Sequence, residues 1–393
     1  MRSKKLDPSL FSKISRSAVN ICKKICDYGY EAYFVGGSVR DLIMGSEIHD
    51  YDITTNADTR VLLDLFQKDG FCARSLGGAF GTIGVKSGDF VIEITPYRDE
   101  SDYRDHRHPG KVAFIKDVCE DLKRRDFTMN SLILSYDGTI YDHFGGICDI
   151  EKKLIRCIGR ADDRFHEDAL RILRALRFSS VLGFDIEEST SRGISNCYKL
   201  LSYISAERKY EETKKILLSG DPYNILYNYK YVFDEFLFET FPDKKIKDLP
   251  YDFIFRLFFL LKDACRKTIS EVPPSIRLSS SEKNTLLSLY DIHSELSGKP
   301  KSAHASWNLI KKYKELFFDY LRMFSIMSKD FEIIEENKFY RLENLDISGN
   351  DITKLNISGE KVGEILNLIS YNCTFGSLRN EKSELLNFAK TLI

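Results

Sequence analysis

Residues 33–41 read Tyr-Phe-Val-Gly-Gly-Ser-Val-Arg-Asp, and after eight further residues comes Asp-Tyr-Asp at 50–52. A short apolar strand therefore runs into Gly36 and Gly37, which allow a sharp turn and bring bare backbone N–H groups close to an anion such as phosphate. Arg40 follows and could neutralise that anion with its forked guanidinium. The stretch predicts a phosphate-binding turn.

A second strand is predicted from Asp50 to Thr54, with carboxylates at Asp50 and Asp52. Because side chains alternate along a strand, these two point the same way, about 6 to 7 Å apart along the backbone. Mg²⁺ prefers oxygen ligands and substrate phosphates, and a pair of ions would serve an in-line displacement at phosphorus. Alone, a Gly-Gly turn or an Asp-x-Asp is usually only a turn or a solvated strand end. Their order within 17 residues indicates phosphoryl or nucleotidyl transfer.

This arrangement resembles the nucleotidyltransferase superfamily, and Gly-Gly-Ser-Val-Arg-Asp is similar to the branch that contains class II CCA-adding tRNA nucleotidyltransferases and bacterial poly(A) polymerases. The resemblance implies an α+β fold, in which a nucleotidyltransferase-type mixed-sheet catalytic head precedes an all-helical neck, body and tail. It also implies that phosphates are held by Gly36, Gly37, Ser38 and Arg40. Heads of this superfamily commonly supply a third carboxylate from a later strand, so Glu93 is either a metal ligand or a surface residue.

Residues 121–132 read Asp-Leu-Lys-Arg-Arg-Asp-Phe-Thr-Met-Asn-Ser-Leu, which matches the family's Arg-Arg-Asp-Phe-Thr-x-Asn motif at nearly every position. Taken alone, Arg125 and Asp126 read as an ion pair at the start of a helix. A guanidinium and a carboxylate side by side can also present a donor and an acceptor to a ribose, and selecting ribonucleotides requires a partner for the 2′-OH. In the family context Arg125 and Asp126 take that role.

Residues 162–178 predict one helix in which Arg171, Arg174 and Arg177 recur every three residues, with Asp168 one turn before Arg171. Spacing alone would suit a surface helix laced with ion pairs. Cytosine and adenine each expose an amino donor beside a ring-nitrogen acceptor, whereas uracil and guanine present an N–H beside a carbonyl. A carboxylate beside a guanidinium complements only the first pair. Asp168 and Arg171 could therefore select CTP and ATP without a template, as the family's matching Glu-Asp-x-x-Arg motif implies, while Arg174 and Arg177 hold the triphosphate or the helix's own acidic neighbours.

The stretch 99–110 is dense in charge and poor in core residues, which predicts a solvent-exposed loop. By its position it resembles the flexible loop of CCA-adding enzymes, which in that family helps the active site change its preference from C to A. The residues assigned to this loop function are Arg104, Asp105 and Arg107.

Two further helices carry motifs. The first, capped by Ser205, contains a Glu-Arg-x-x-x-Glu run from Glu207 that resembles the family's last motif, and we assign it a structural role that braces the neck. The second lies in the closing segment 345–366, which resembles the family's RNA-holding tail. Glycines at a helix start can admit a phosphate backbone, whereas Gly363 could equally permit close helix packing.

Composition describes an ordinary protein with 43% hydrophobic and 30% charged residues and a formal net charge of −1. RNA contacts must therefore use local basic patches. The nine cysteines include no C-x-x-C pair, which suits reduced thiols, and Cys22 and Cys26 share a helix face without partners for a metal site. The amino terminus lacks the apolar core of a signal peptide, and charges interrupt the most apolar runs. We expect a cytoplasmic protein that does not interact with membranes.

The resemblance divides the chain into a catalytic head (1–150), a neck with the nucleotide-selecting helix (151–220), a helical body (221–335) and a tRNA-binding tail (336–393). It implies a CCA-adding enzyme that transfers CMP and AMP from CTP and ATP to the tRNA 3′ end, with one or two Mg²⁺ ions held by Asp50 and Asp52. No protein partner is predicted. The alternatives are a bacterial poly(A) polymerase, an enzyme that adds only A, and an RNA-binding or nucleotide-sensing protein with an inert core.

Overall fold

The computed structural model describes residues 2–48, 50–76, 80–87, 90–103, 109–296 and 302–392. The chain forms two compact units, one of Met1–Phe238 with Ser275–Arg277 and one of Glu239–Pro274 with Leu278–Ile393. Every strand of the described part lies in the first unit, and the second unit is helical. The predicted α+β class is therefore confirmed, while the four-part division at residues 150, 220 and 335 stays a prediction.

Twelve strands occur in the described residues. Their bounds are β1 Arg2–Lys5, β2 Ala32–Val35, β3 Tyr51–Thr55, β4 Ala73–Ser75, β5 Ile83–Ser87, β6 Phe90–Pro96, β7 Arg98–Tyr103, β8 Pro109–Phe114, β9 Ile133–Leu134, β10 Thr139–Asp142, β11 Leu154–Ile155 and β12 Asp185–Ile186. Eight of them form one mixed sheet in the order β1-β10-β9-β2-β3-β6-β5-β4. All neighbours in it are antiparallel except β3 and β6, which are parallel.

Helices cover this sheet and continue the chain beyond it. Those of the first unit are α1 Pro8–Phe11, α2 Arg16–Asp27, α3 Gly37–Ile43, α4 Thr59–Lys68, α5 Val118–Lys123, α6 Gly146–Glu151, α7 Ala161–Glu167, α8 Leu170–Leu182, α9 Glu188–Cys197, α10 Ala206–Leu217, α11 Tyr223–Asn228 and α12 Lys230–Leu237. In α2 the apolar residues recur at helical spacing, and the face that contains Ala18, Ile21, Cys22 and Ile25 is buried. Cys22 also donates a hydrogen bond to the Ala32 carbonyl of β2.

Three local predictions need correction. The single helix expected to contain Asp168 and Arg171 is two helices, α7 and α8, because Asp168 adopts an extended backbone (φ −140°, ψ 102°) between them. The strand expected from Asp50 begins at Tyr51. The charged stretch expected to be a loop contributes to an antiparallel hairpin of β7 and β8. Arg104, Asp105 and Arg107, assigned to the loop function, lie outside the described residues.

Strand β1 was not predicted at all. It pairs with β10 in antiparallel register from Arg2 opposite Asp142 to Lys5 opposite Thr139. The ammonium of Lys5 also lies 2.8 Å from the carboxylate of Asp137. A run of basic residues carries no alternating apolar pattern, so only pairing with a distant strand makes it extended.

The second unit is built from helices whose order follows the chain. They are α13 Phe253–Leu261, α14 Arg266–Ser275, α15 Ser280–Leu296, α16 Trp307–Tyr313, α17 Glu315–Met323, α18 Lys329–Asn337, α19 Gly349–Thr353, α20 Glu360–Thr374 and α21 Lys382–Thr391. The last three share a buried cluster that includes Ile352, Ile369 and Leu385. Among the described residues, no helix combines the length and the apolar character needed to cross a bilayer.

Gly363 is the fourth residue of α20. From the sequence, the glycines of this segment could admit an RNA phosphate backbone, or Gly363 could permit close helix packing. A Cβ added there would meet no atom of the described residues within 4 Å, so among them the glycine does not serve close helix packing. We expect Gly363→Ala to raise the free energy of unfolding by about 0.5 to 1 kcal/mol, because alanine favours a helix interior over glycine. Urea unfolding of both proteins measures this change. A destabilised variant would mean that another group packs against this position.

Candidate functional site

The Gly-Gly turn links β2 to α3. Gly36 has φ +80° and ψ −141° and lies immediately before the helix. This backbone conformation favours glycine, and a Cβ there would lie 3.6 Å from Oδ2 of Asp52. The Ser38 hydroxyl donates a hydrogen bond of 3.1 Å to the Val35 carbonyl. The turn therefore brings backbone close to Asp52, while the Ser38 side chain stabilises the turn itself.

Asp52 lies on β3 directly beside Glu93 of the parallel strand β6. Side chains in register on neighbouring strands share a face of the sheet. Burial, together with the charges of Glu93 and Asp50, raises the pKa of Asp52 to about 6, although the Arg125 guanidinium opposes the shift. These carboxylates therefore repel one another, and a cation would relieve the repulsion.

A cavity of about 600 Å³ brings most of the predicted residues together. It is lined by Gly36, Gly37, Arg40, Asp50, Asp52, Arg124, Arg125, Asp126, Asn130, Asp168, Leu170, Arg171, Arg174, Arg177, Phe178 and Arg208. Seven of these residues are arginines and four are aspartates, which gives a formal excess of three positive charges. Such a cavity attracts a polyanion. Ser38 and Glu93 are the two predicted residues of the head, within its described part, that do not line it.

Glu93 lines a second cavity of about 290 Å³, which it shares with Asp52. Arg98, Arg124 and Arg125 also line this space. Asp52, Arg124 and Arg125 thus line both cavities. The assignment of Glu93 as a third metal ligand stays a prediction.

Three guanidinium groups surround the ring of Phe178. Those of Arg177, Arg40 and Arg174 lie 3.9, 5.1 and 5.5 Å from its centroid. Arg40 also donates to Asn130 at 2.9 Å and to Asp41 at 2.7 and 2.8 Å, and Arg177 donates to Glu212 at 2.5 Å. The aromatic face and these acceptors hold the cations in place. Phe178 was assigned no role in the site from the sequence, so this part of the site was missed.

Arg125 and Asp126 do not pair with each other. Arg125 donates to Asp121 at 3.2 Å, and its buried Nε has no hydrogen-bond partner among the described residues. Both oxygens of Asp126 are engaged, Oδ1 by the amide nitrogen of Phe127 and the Asn130 side chain and Oδ2 by the fork of Arg174. Burial alone would raise the pKa of Asp126, but the charge and hydrogen bonds of Arg174 lower it to about 2. Asp126 thus fixes Arg174, whereas Arg125 keeps an unused donor.

Asp168 and Arg171 line the same cavity but have separate partners. Arg208 of α10 donates to both oxygens of Asp168, at 3.1 and 2.8 Å. Arg171 donates to Glu167 at 2.6 Å and to the carbonyl of Arg124 at 2.7 Å. Arg208 is a site residue to which sequence reasoning gave only a structural role. Its Glu-Arg-x-x-x-Glu motif was the available signal.

The donor set of the cavity fits a hard divalent cation. Asp50 and Asp52 offer carboxylate oxygens beside space that substrate phosphates could fill. Within the described ranges, no group of three or more His, Cys, Asp or Glu side chains is placed to hold a metal ion. An ion held by Asp50 and Asp52 would keep coordination positions that substrate phosphates or water could fill.

Two segments match known domain families. Residues 32–156 match the poly A polymerase head domain, and residues 183–229 match a family described as the probable RNA and SrmB-binding site of polymerase A. The CCA-adding enzyme of Lacticaseibacillus paracasei is 33% identical over 395 residues, which cover 95% of this chain and 96% of that protein. This chain belongs to the CCA-adding enzyme family. Membership in this nucleotidyltransferase family suggests a divalent metal cofactor.

Other members of the CCA-adding enzyme family match more strongly over shorter lengths. The enzyme of Lactobacillus gasseri is 47% identical over 204 residues, so the chain spans about half the length of that relative (52% of this chain and 50% of that protein). The structure of the Bacillus stearothermophilus CCA-adding enzyme in complex with CTP has a TM-score of 0.76 at 25% identity and 98% coverage of both chains. The Thermotoga maritima enzyme complexed with tRNA has a TM-score of 0.78 at 20% identity over all of both chains, and shows the shared fold.

Proposed function

We propose that this protein adds CCA to the 3′ end of tRNA by transferring CMP and AMP from CTP and ATP, with release of pyrophosphate. The observation that carries the proposal is that one cavity contains both the acidic pair, Asp50 and Asp52, and the base-reading candidates, Asp168 and Arg171. A single nucleotide could then meet its reacting phosphate and its base selection in one space. The names of its full-length relatives support the same activity.

The phosphate end of the nucleotide is assigned to Gly36, Gly37 and Arg40, with Arg174 and Arg177 as further cations. The formal excess of three positive charges in the cavity lining complements the negative charge of a triphosphate. Arg174 and Arg177 are held by Asp126 and Glu212, so they are already oriented before a nucleotide enters. Pre-oriented charges stabilise a transition state without further reorganisation. Ser38 contributes by holding the turn.

Asp50 and Asp52 would hold Mg²⁺, as one or two ions. When bound, the metal would activate the tRNA 3′-hydroxyl and neutralise charge on the departing pyrophosphate. Asp50 and Asp52 supply the anionic oxygens for the metal. Glu93 lies beside Asp52 and is the candidate for a third ligand.

The ribose is assigned to Arg125 and Asp126. Arg125 is the better supported of the two, because it lines the cavity and its buried Nε–H has no partner in the part of the chain that the structure describes. Asp126 already accepts four hydrogen bonds, which fills the capacity of a carboxylate. Its contribution therefore comes through Arg174, which it holds in place.

The proposal is tested with three tRNA substrates that end before CCA, after C and after CC. Each is incubated with CTP alone, ATP alone and both together, and products are resolved by length. Stepwise addition of C, C and A that then stops is the expected result. Long A tails would indicate a poly(A) polymerase, which the head-domain match also allows, and extension of only the CC-ending substrate would indicate an enzyme that adds only A. No extension of any substrate would favour an inert core.

A further inference from the structure

The carboxylate of Asp168 has a fixed set of hydrogen-bond partners. Arg208 Nη1 and the amide nitrogen of Leu170 both donate to Oδ1, at 3.1 Å each, and Arg208 Nη2 donates to Oδ2 at 2.8 Å. A carboxylate offers about four acceptor positions. Three are used by described residues, so one position remains, on Oδ2.

The guanidinium of Arg171 also has most of its hydrogen-bond donors occupied. Its Nη1 donates to Glu167 at 2.6 Å and to the carbonyl of Arg164 at 3.1 Å, and its Nη2 donates to the carbonyl of Arg124 at 2.7 Å. A guanidinium carries five N–H donors. Described residues use three of these donors, which fills Nη1 and leaves one N–H on Nη2 and the N–H on Nε.

From this count we infer that Arg208 is a specificity-determining positioning residue, which acts by leaving Asp168 a single acceptor position. The inference rests on the proposed function and deepens it. The one acceptor left at Asp168 and the remaining Nη2 donor of Arg171 suit the amino group and ring nitrogen that cytosine and adenine share. The Arg208 fork prevents the carboxylate from rotating and from accepting a ring N–H of uracil or guanine instead.

The main test is Arg208→Lys, which retains the charge but loses the planar fork. We expect the ratios of kcat/KM for CTP over UTP and for ATP over GTP to fall by about tenfold or more, mainly through gains for UTP and GTP. Arg192→Lys is the matched control, because Arg192 forms an exposed pair with Glu188 on α9. Unchanged ratios in Arg208→Lys, or an equal loss for all four nucleotides, would overturn the inference and leave Arg208 as a brace.

A double-mutant cycle shows whether Arg208 acts through Asp168. In an Asp168→Ala background, Arg208→Lys should change the ratios by less than about twofold, because the group that it positions is gone. An undiminished effect in that background would contradict the inference.

Equilibrium binding of CTP and UTP without tRNA separates this inference from the proposed function. If the wild type fails to extend tRNA but prefers CTP over UTP, and Arg208→Lys loses that preference, the function fails and the inference stands. If the wild type extends tRNA with C, C and A while Arg208→Lys keeps the preference, the inference fails alone.

Discussion

Asp52→Asn is expected to reduce nucleotide transfer to tRNA by about 10³-fold or more, because it removes an anionic oxygen from the acidic pair at which the metal is proposed to bind. Several kcal/mol of transition-state stabilisation depend on such an ion. Asparagine has nearly the same shape, and it removes a charge that Glu93 and Asp50 repel. The folded state and tRNA binding should therefore be retained, as thermal unfolding and a filter-binding assay would show.

Asp64→Asn is the matched control for Asp52→Asn. Asp64 is exposed on α4 and lies outside both cavities, so the same loss of charge should leave transfer unchanged. Full activity of Asp52→Asn would exclude Asp52 as a metal ligand. Loss of folding in this variant would instead give Asp52 a structural role.

The sequence predicted best those parts of the site that are formed by residues close together in the chain. A strand that ends in Gly36 and Gly37 must turn, and the positive φ of Gly36 follows from that requirement. The acidic pair was expected on one strand, yet Asp50 precedes β3 and still lines the same cavity as Asp52. Both carboxylates reach this cavity because the length of the side chains tolerates an error of one residue in a strand boundary.

The partners of each charged residue were much harder to predict. Arg125 and Asp126 are neighbours in sequence, but they have different partners. Arg125 binds Asp121, and Asp126 binds Arg174, which lies 48 residues further along the chain. Sequence spacing predicts pairs only along a continuous helix. The extended backbone at Asp168 breaks that continuity, so its partner comes from α10 and not from Arg171.

The remaining errors have a related physical cause. Strand β1 and the hairpin of β7 and β8 are rich in charge, and patterns of apolar residues could not reveal them. Both are extended because hydrogen bonds to a neighbouring strand satisfy their backbone N–H and C=O groups. In the second unit the family motifs are sparse. The sequence therefore predicted that this unit is helical, but it predicted few individual contacts.

Arg174→Met is expected to lower the free energy of unfolding at pH 7 by about 3 kcal/mol, because it leaves the buried carboxylate of Asp126 without the arginine that pairs with it. In the wild type the pKa of Asp126 is about 2, below the value of about 3.9 in an unfolded chain. A shift of this size contributes about 2.6 kcal/mol of stability. That contribution is fully present above about pH 4 and is lost as the pH falls toward 2.

In the variant, burial is opposed by the Asn130 hydrogen bond and the Arg171 charge but no longer by Arg174, so the pKa of Asp126 is higher than in the wild type and its protonation costs the folded variant less as the pH falls. The difference in unfolding free energy between wild type and Arg174→Met should therefore be larger at pH 7 than at pH 4, which urea titrations at both values would measure. Lys23→Met is the control, because Lys23 forms an exposed pair with Asp27 on α2 and should change stability by less than about 1 kcal/mol at either pH. A gap for Arg174→Met that stays constant or widens in acid would mean that Asp126 does not depend on Arg174 for its charge.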